Sequence, residues 1–215
     1  MVLWYRPLGA APAGAPGRPS PRPRFPRGVT RRRLVMLFVI LAMTDFLSVA
    51  WGFLMPEFAA QKDLPAWLVH GGAMLVFTFG LMVMMVPAGM LADRMGREKL
   101  IVGTLSVSLA CYAALVVLPP GSPVATIALL FLLGGMSGVA NPLGVAYGQE
   151  LVPGNRGAVT GVLMGWAWAV GGTAPLAAGA LARNPALGAT GALAWLALGN
   201  VLALVLAIGL HRHRD

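Results

Sequence analysis

Asp45 stands inside an apolar run, in Met43-Thr44-Asp45-Phe46, whereas the other acidic residues fall in polar connectors or at the end of the chain. A carboxylate surrounded by apolar sequence must find a polar cavity or a partner. At the centre of a bilayer it costs about 2.5–3.5 kcal/mol on insertion scales. Two roles follow: a carboxyl that takes up and releases protons or touches substrate, or a packing carboxyl bonded to Thr44, Ser48 or a neighbouring helix. A second concentration of chemistry is Gly89-Met90-Leu91-Ala92-Asp93-Arg94-Met95-Gly96-Arg97-Glu98-Lys99-Leu100. Gly89 and Gly96 let the backbone approach and reverse. Asp93 is spaced to pair with Arg97 if the turn stays helical, or to sit on the amides of a helix N-terminus. A third, Gln149-Glu150-Leu151-Val152-Pro153-Gly154-Asn155-Arg156-Gly157, again sets acid and base around a break.

Other polar groups lie deeper in apolar sequence. Asn141-Pro142 implies a kink and a freed carbonyl beside an amide. With Tyr147, Gln149 and Trp166 it is the candidate lining of a substrate path. The methionines Met82, Met84, Met85 and Met90 read as a lipid-facing surface, or as an adaptable wall for substrate. His70, His211 and His213 lack ligand spacing, so no metal is expected, and no cofactor is implied. Cys111 is the sole cysteine, which excludes an intrachain disulfide.

The elements that must position these groups are membrane helices. Of the 215 residues, 58% are hydrophobic and 11% charged, against roughly a quarter charged in soluble domains. Surface grows too fast relative to volume for a soluble core to absorb that much apolar sequence. Crossing the hydrocarbon takes about 20 residues of helix. Six runs qualify, at 34–55, 66–91, 100–118, 124–149, 158–182 and 187–210, each bounded by proline, charge or both. The expected fold is therefore an all-α membrane protein with six transmembrane helices over residues 34–210.

Residues 1–33 are a different material, with seven prolines, eight arginines and no acid. They read as a disordered basic leader beside anionic lipid rather than a nucleic-acid arm or a secretory signal. Residues 211–215 form a short basic tail. The leader, the second and fourth connectors and the tail hold 14 of the 16 basic residues, leaving Lys62 and Arg183 opposite. The positive-inside rule then sets both termini in the cytoplasm.

The Gly89–Leu100 segment resembles the signature loop of the major facilitator superfamily, Gly-x-Leu-Ala-Asp-Arg-x-Gly-Arg-Arg/Lys, found between the second and third helices of a half. It departs at Glu98, where the family has a basic residue. Residues 149–157 are similar to the family's acidic, proline and Arg-Gly loop between the fourth and fifth helices. This resemblance makes Gly89, Asp93, Arg94, Gly96 and Arg97 a cytoplasmic gate loop, with Glu150 and Arg156 completing the charge cluster that latches it. The run from Asn141 to Pro153, with Gly161-Val162-Leu163-Met164-Gly165, resembles the C-terminal half of fosmidomycin-resistance-type drug exporters. Gly171-Gly172-Thr173-Ala174-Pro175, after Trp166 and Trp168, is partly similar to the antiporter motif of such proteins. Glycines at 157, 161 and 165, and at 134 and 138, have the spacing of close helix seams.

The resemblance implies one six-helix bundle built as a 3+3 inverted repeat, with the leader in place of the linker between halves and the chain ending where a C-terminal half ends. Such transporters bind substrate between two halves. The expected partners are therefore the bilayer, a small organic substrate, protons at Asp45 and a second half, as a homodimer or a separate chain. The expected function is proton-coupled export across the inner membrane. The rival is a non-transporting subunit or a remnant. Gly135-Met136-Ser137-Gly138 is similar to the serine motif of rhomboid proteases. Their serine needs a histidine base in the sixth span, and residues 187–210 contain none, so no enzyme is expected.

Overall fold

A computed structural model describes residues 28–212; most of the leader and the last residues of the tail lie outside them. Among the described residues every regular element is helical. In order these are α1 (Val29–Gln61), a π turn (Leu68–Gly72), α2 (Ala73–Met95), α3 (Arg97–Val117) and α4 (Pro123–Leu151). There follow a 3-10 turn (Pro153–Asn155), α5 (Arg156–Thr160), a second π turn (Gly161–Trp166), α6 (Ala167–Gly171), α7 (Ala174–Ala182) and α8 (Gly188–Arg212).

Five helices among these residues are long and apolar enough to cross a membrane: α1, α2 with its leading π turn, α3, α4 and α8. The stretch expected as the fifth of six spans is segmented. A π turn joins α5 to α6, and the helix stops at Gly171 before restarting at Ala174, with Pro175 in the first turn of α7. Proline has no amide hydrogen and is at home there. α1 starts at Val29, inside the stretch assigned to the leader, and continues through Pro56 to Gln61. His211 and Arg212, expected in the tail, form the last turn of α8.

Packing places α2 on α4, α1 on α8, and α3 between α4 and α8, while α6 and α7 lie against α1. The α2–α4 contact is backbone to backbone. A Cβ on Gly80 would run into the Phe131 carbonyl, and one on Gly134 into the Phe77 carbonyl. Gly138 lies equally close to Leu81, so the expected seam at 134 and 138 forms. The seam expected at Gly157, Gly161 and Gly165 does not form among the described residues, since a Cβ at any of them meets nothing there within 4 Å.

Two apolar clusters fill the interior. One, towards Lys62, holds Trp51, Leu54, Phe58, Phe77, Tyr112 and Leu130. The other, towards Arg97, holds Leu37, Leu41, Leu105, Leu143, Leu163 and Leu210. Outward residues stay apolar: Leu75, Met82, Val86 and Met90 on α2 and Leu176 on α7 are all exposed. An apolar exterior over a filled core suits hydrocarbon as the surrounding solvent.

Candidate functional site

Asp45 lies at the middle of α1, in the gap between the two apolar clusters. Asn141 of α4 donates its amide N–H to Asp45 Oδ1. The third wall is Gly171, the last residue of α6. A Cβ there would stand 3.2 Å from the Asp45 Cβ and 3.3 Å from its carbonyl carbon. Glycine lets α6 press on α1 at this depth; a methyl group there would require a shift of a few tenths of an ångström. Asp45 Oδ2 and Asn141 Oδ1 are both buried and have no hydrogen-bond partner. Thr44 donates to the carbonyls of Ile40 and Leu41 in its own helix, so it is not the partner of its neighbour. The neighbouring-helix alternative describes this carboxyl, and its partner is a residue expected on the substrate path.

The remaining path candidates separate. Tyr147, buried, donates its hydroxyl to Glu98 Oε1. Gln149 donates to Thr160 Oγ1 at 2.8 Å, tying α4 to α5, and Trp166 is exposed in the second π turn. The four are not gathered along one surface.

At the basic end the chain reverses in a single residue. Gly96, at φ +89°, is the only break between α2 and α3, and a side chain is strained there. Because the helix stops at Gly96, Asp93 and Arg97 belong to different helices and no ion pair forms between them. Arg97 instead reaches Glu150 Oε1 at 2.9 Å, joining the two loops expected to form one cluster. Asp93, Arg94 and Arg156 are exposed, and Asp93 shares a cavity wall with Arg97. Gly89 is not needed for close approach, since a Cβ there meets nothing within 4 Å. It lines, with Met85, Asp93, Arg97, Pro142 and Ala146, a cavity of about 290 Å³ between α2 and α4.

Glu98 was legible only as a departure from a pattern, yet it is buried. Besides Tyr147, its second oxygen faces His211 Nδ1 of α8 at 3.6 Å. The structure puts it on the buried stripe of α3 with Ile101, Leu105, Ser108 and Tyr112, although it was expected in the connector before that helix. At the other end, two consecutive residues hold two helices. Gln61 Oε1 accepts from the Thr190 amide and hydroxyl at the start of α8, at 3.1 and 3.2 Å. Lys62 Nζ donates to the carbonyls of Val116 and Leu118 at the end of α3, at 3.0 and 2.6 Å. An acceptor thus meets a helix N-terminus and a cation meets a C-terminus, as the helix dipole favours. Ser137, the serine of the protease-like motif, lies beside Tyr112 of α3.

The sequence signature of the Major Facilitator Superfamily matches residues 1–176. The chain belongs to that superfamily. Over 120 residues it is 38% identical to the uncharacterized MFS-type transporter YfnC of Bacillus subtilis (strain 168). That match covers 55% of this chain but 28% of YfnC. No solved structure matches. With its apolar helices, membership of this superfamily of transporters makes the chain an integral, multi-pass membrane protein.

Proposed function

We propose that this MFS chain is a half-size secondary transporter that exports a small organic molecule in exchange for protons. In this reading the segmented stretch α5–α7 is the remaining span of a six-helix bundle arranged as a 3+3 inverted repeat, resembling the C-terminal half of fosmidomycin-resistance-type exporters. The bundle sits in the inner membrane with both termini cytoplasmic, and the basic leader and tail anchor it at the headgroups. A second half, another copy or a separate chain, supplies the facing wall for alternating access.

Asp45 is the proton-coupling residue, and the observation that carries this role is its pairing with Asn141 between α1, α4 and α6. A membrane carboxyl held by one amide, with an oxygen left over, is suited to exchanging a proton during transport. Arg97 and Glu150 are the gate contact on the cytoplasmic side, within the cluster of Asp93, Arg94 and Arg156. An exposed ion pair of this kind contributes about 0–1 kcal/mol, so it can break and reform in each cycle.

The test is proton-gradient-driven transport of a panel of fluorescent organic compounds into everted membrane vesicles. The wild type accumulates at least one compound when the gradient is imposed. Asp45→Asn falls to the level of membranes lacking the protein. Unchanged transport by Asp45→Asn removes the coupling assignment. The second reading is a non-transporting subunit or remnant. It is upheld if no compound moves in either protein.

A further inference from the structure

The two orphaned oxygens at the centre of the bundle belong to one pair. Asn141 donates to Asp45 Oδ1, while Asp45 Oδ2 and Asn141 Oδ1 are buried acceptors with nothing to accept from. Two unmatched acceptors on facing groups are costly where water is scarce. A carboxyl and a primary amide are complementary in one protonation state. If the acid carries its proton on Oδ2, that O–H donates to the amide oxygen while the amide N–H donates to the acid carbonyl, and the pair closes into a ring with two hydrogen bonds. One proton satisfies both orphans.

From this geometry we infer that Asn141 is a positioning residue that reads the protonation state of Asp45, clamping α1 to α4 by two hydrogen bonds with the proton bound and by one when it has left. The inference rests on the proton-coupled reading above and adds to it the device by which proton release loosens two helices. The step balances simply: Asp45 gains or loses one proton at Oδ2, and no other covalent bond changes. When the proton leaves, both acceptors need water or separation of α1 from α4, beside the Gly171 end of α6.

Among the described residues of the helices packed against α1, the titratable groups lie away from this depth. On α4 the titratable side chains are Tyr147 and Glu150, six and nine residues on, held by Glu98 and Arg97. α6 and α7 carry none. On α8 the charged or titratable groups are His211 and Arg212 in the last turn, and Asn200, at the level of the gap, donates to the Leu105 carbonyl. α2 has Asp93 and Arg94 in its final turns, and His70 lies in the π turn at its other end.

The experiment is infrared difference spectroscopy of the full chain in lipid nanodiscs, titrated from below to above the ordinary carboxylate range. The wild type shows a protonated-carboxyl stretch that is lost in Asp45→Asn. In Asn141→Leu that stretch persists but moves to higher frequency, because the acid carbonyl no longer accepts from the amide. Asn141→Ala, which leaves space instead of filling it, shows the same shift and guards against misfolding of the leucine variant. A stretch that depends on Asp45 but is unmoved in both Asn141 variants overturns the clamp and leaves the coupling role standing. If no stretch depends on Asp45 at any pH, the proton-coupled reading fails and the clamp with it.

Discussion

Lys62 is a buried cation whose ammonium is spent on the last carbonyls of α3, with Phe58 beneath it at 5.9 Å. Helix ends leave carbonyls without intrahelical partners, and a group that satisfies them from another helix fixes both. Lys62→Met keeps the apolar stem and removes the donor, so it is expected to destabilise the protein by about 1–3 kcal/mol, read as a lower melting temperature in detergent. Glu98 makes the opposite prediction to its family pattern. Glu98→Lys restores the family's charge, yet it places a cation against Tyr147 and His211 where an acceptor is needed. An uncompensated buried charge costs about 3–5 kcal/mol, so this variant loses more stability than Glu98→Gln, which can still accept from Tyr147. The sequence made Asp45 conspicuous because one carboxyl in an apolar run has to be accounted for. Its partner was not singled out, although Asn141 was conspicuous in its own right as an amide inside an apolar run. Gln61 and Lys62 were not legible. A cap reaching from one helix to another depends on where the ends meet in space, and no local spacing encodes that.

At the scale of elements, two glycine patterns with the same spacing behave differently. Gly134 and Gly138 lie against α2, where a methyl group would strike backbone or Leu81, whereas Gly157, Gly161 and Gly165 have open space around them. The spacing marks a face on which close approach is allowed, and only tertiary contact decides whether it is used. Gly134→Leu should therefore cost at or above about 3 kcal/mol, the top of the usual overpacking range, because the obstacle is a carbonyl that no rotamer can move aside. Gly161→Ala should be neutral or stabilising by up to about 1 kcal/mol. Folded yield and melting temperature of the two variants, side by side, check the contrast. Helix boundaries followed hydrophobicity closely for α3, α4 and α8, where charge or proline bounds the run. They failed at Pro56, through which α1 continues, and across residues 158–182, where composition read as one span. Proline was taken as a stop in the first case. In the second, an apolar run could not disclose a π turn, although the Gly171-Gly172 break was visible in the residues.

Across the described residues, polar cross-links concentrate at the two ends and at one level between them. Gln61 and Lys62 tie α1, α3 and α8 at one end, and Glu98, Tyr147, His211, Arg97 and Glu150 tie α3, α4 and α8 at the other. Asp45 and Asn141 join α1 to α4 in the gap between the two apolar clusters. α3 and α8 are thus held at both ends. Our account assigns proton-sensitive movement to α1 and α4, at the one level where their link depends on a proton. It also requires a second bundle to face this one, because a single six-helix unit has no opposing wall to close over substrate. The most direct test is the protein mass of the transport-competent species, taken by light scattering on particles extracted with native lipid and corrected for that lipid. The account predicts either twice the 22.4 kDa of one chain or one chain with a second membrane subunit bound. A particle holding a single 22.4 kDa chain that still drives gradient-dependent transport after reconstitution would contradict it.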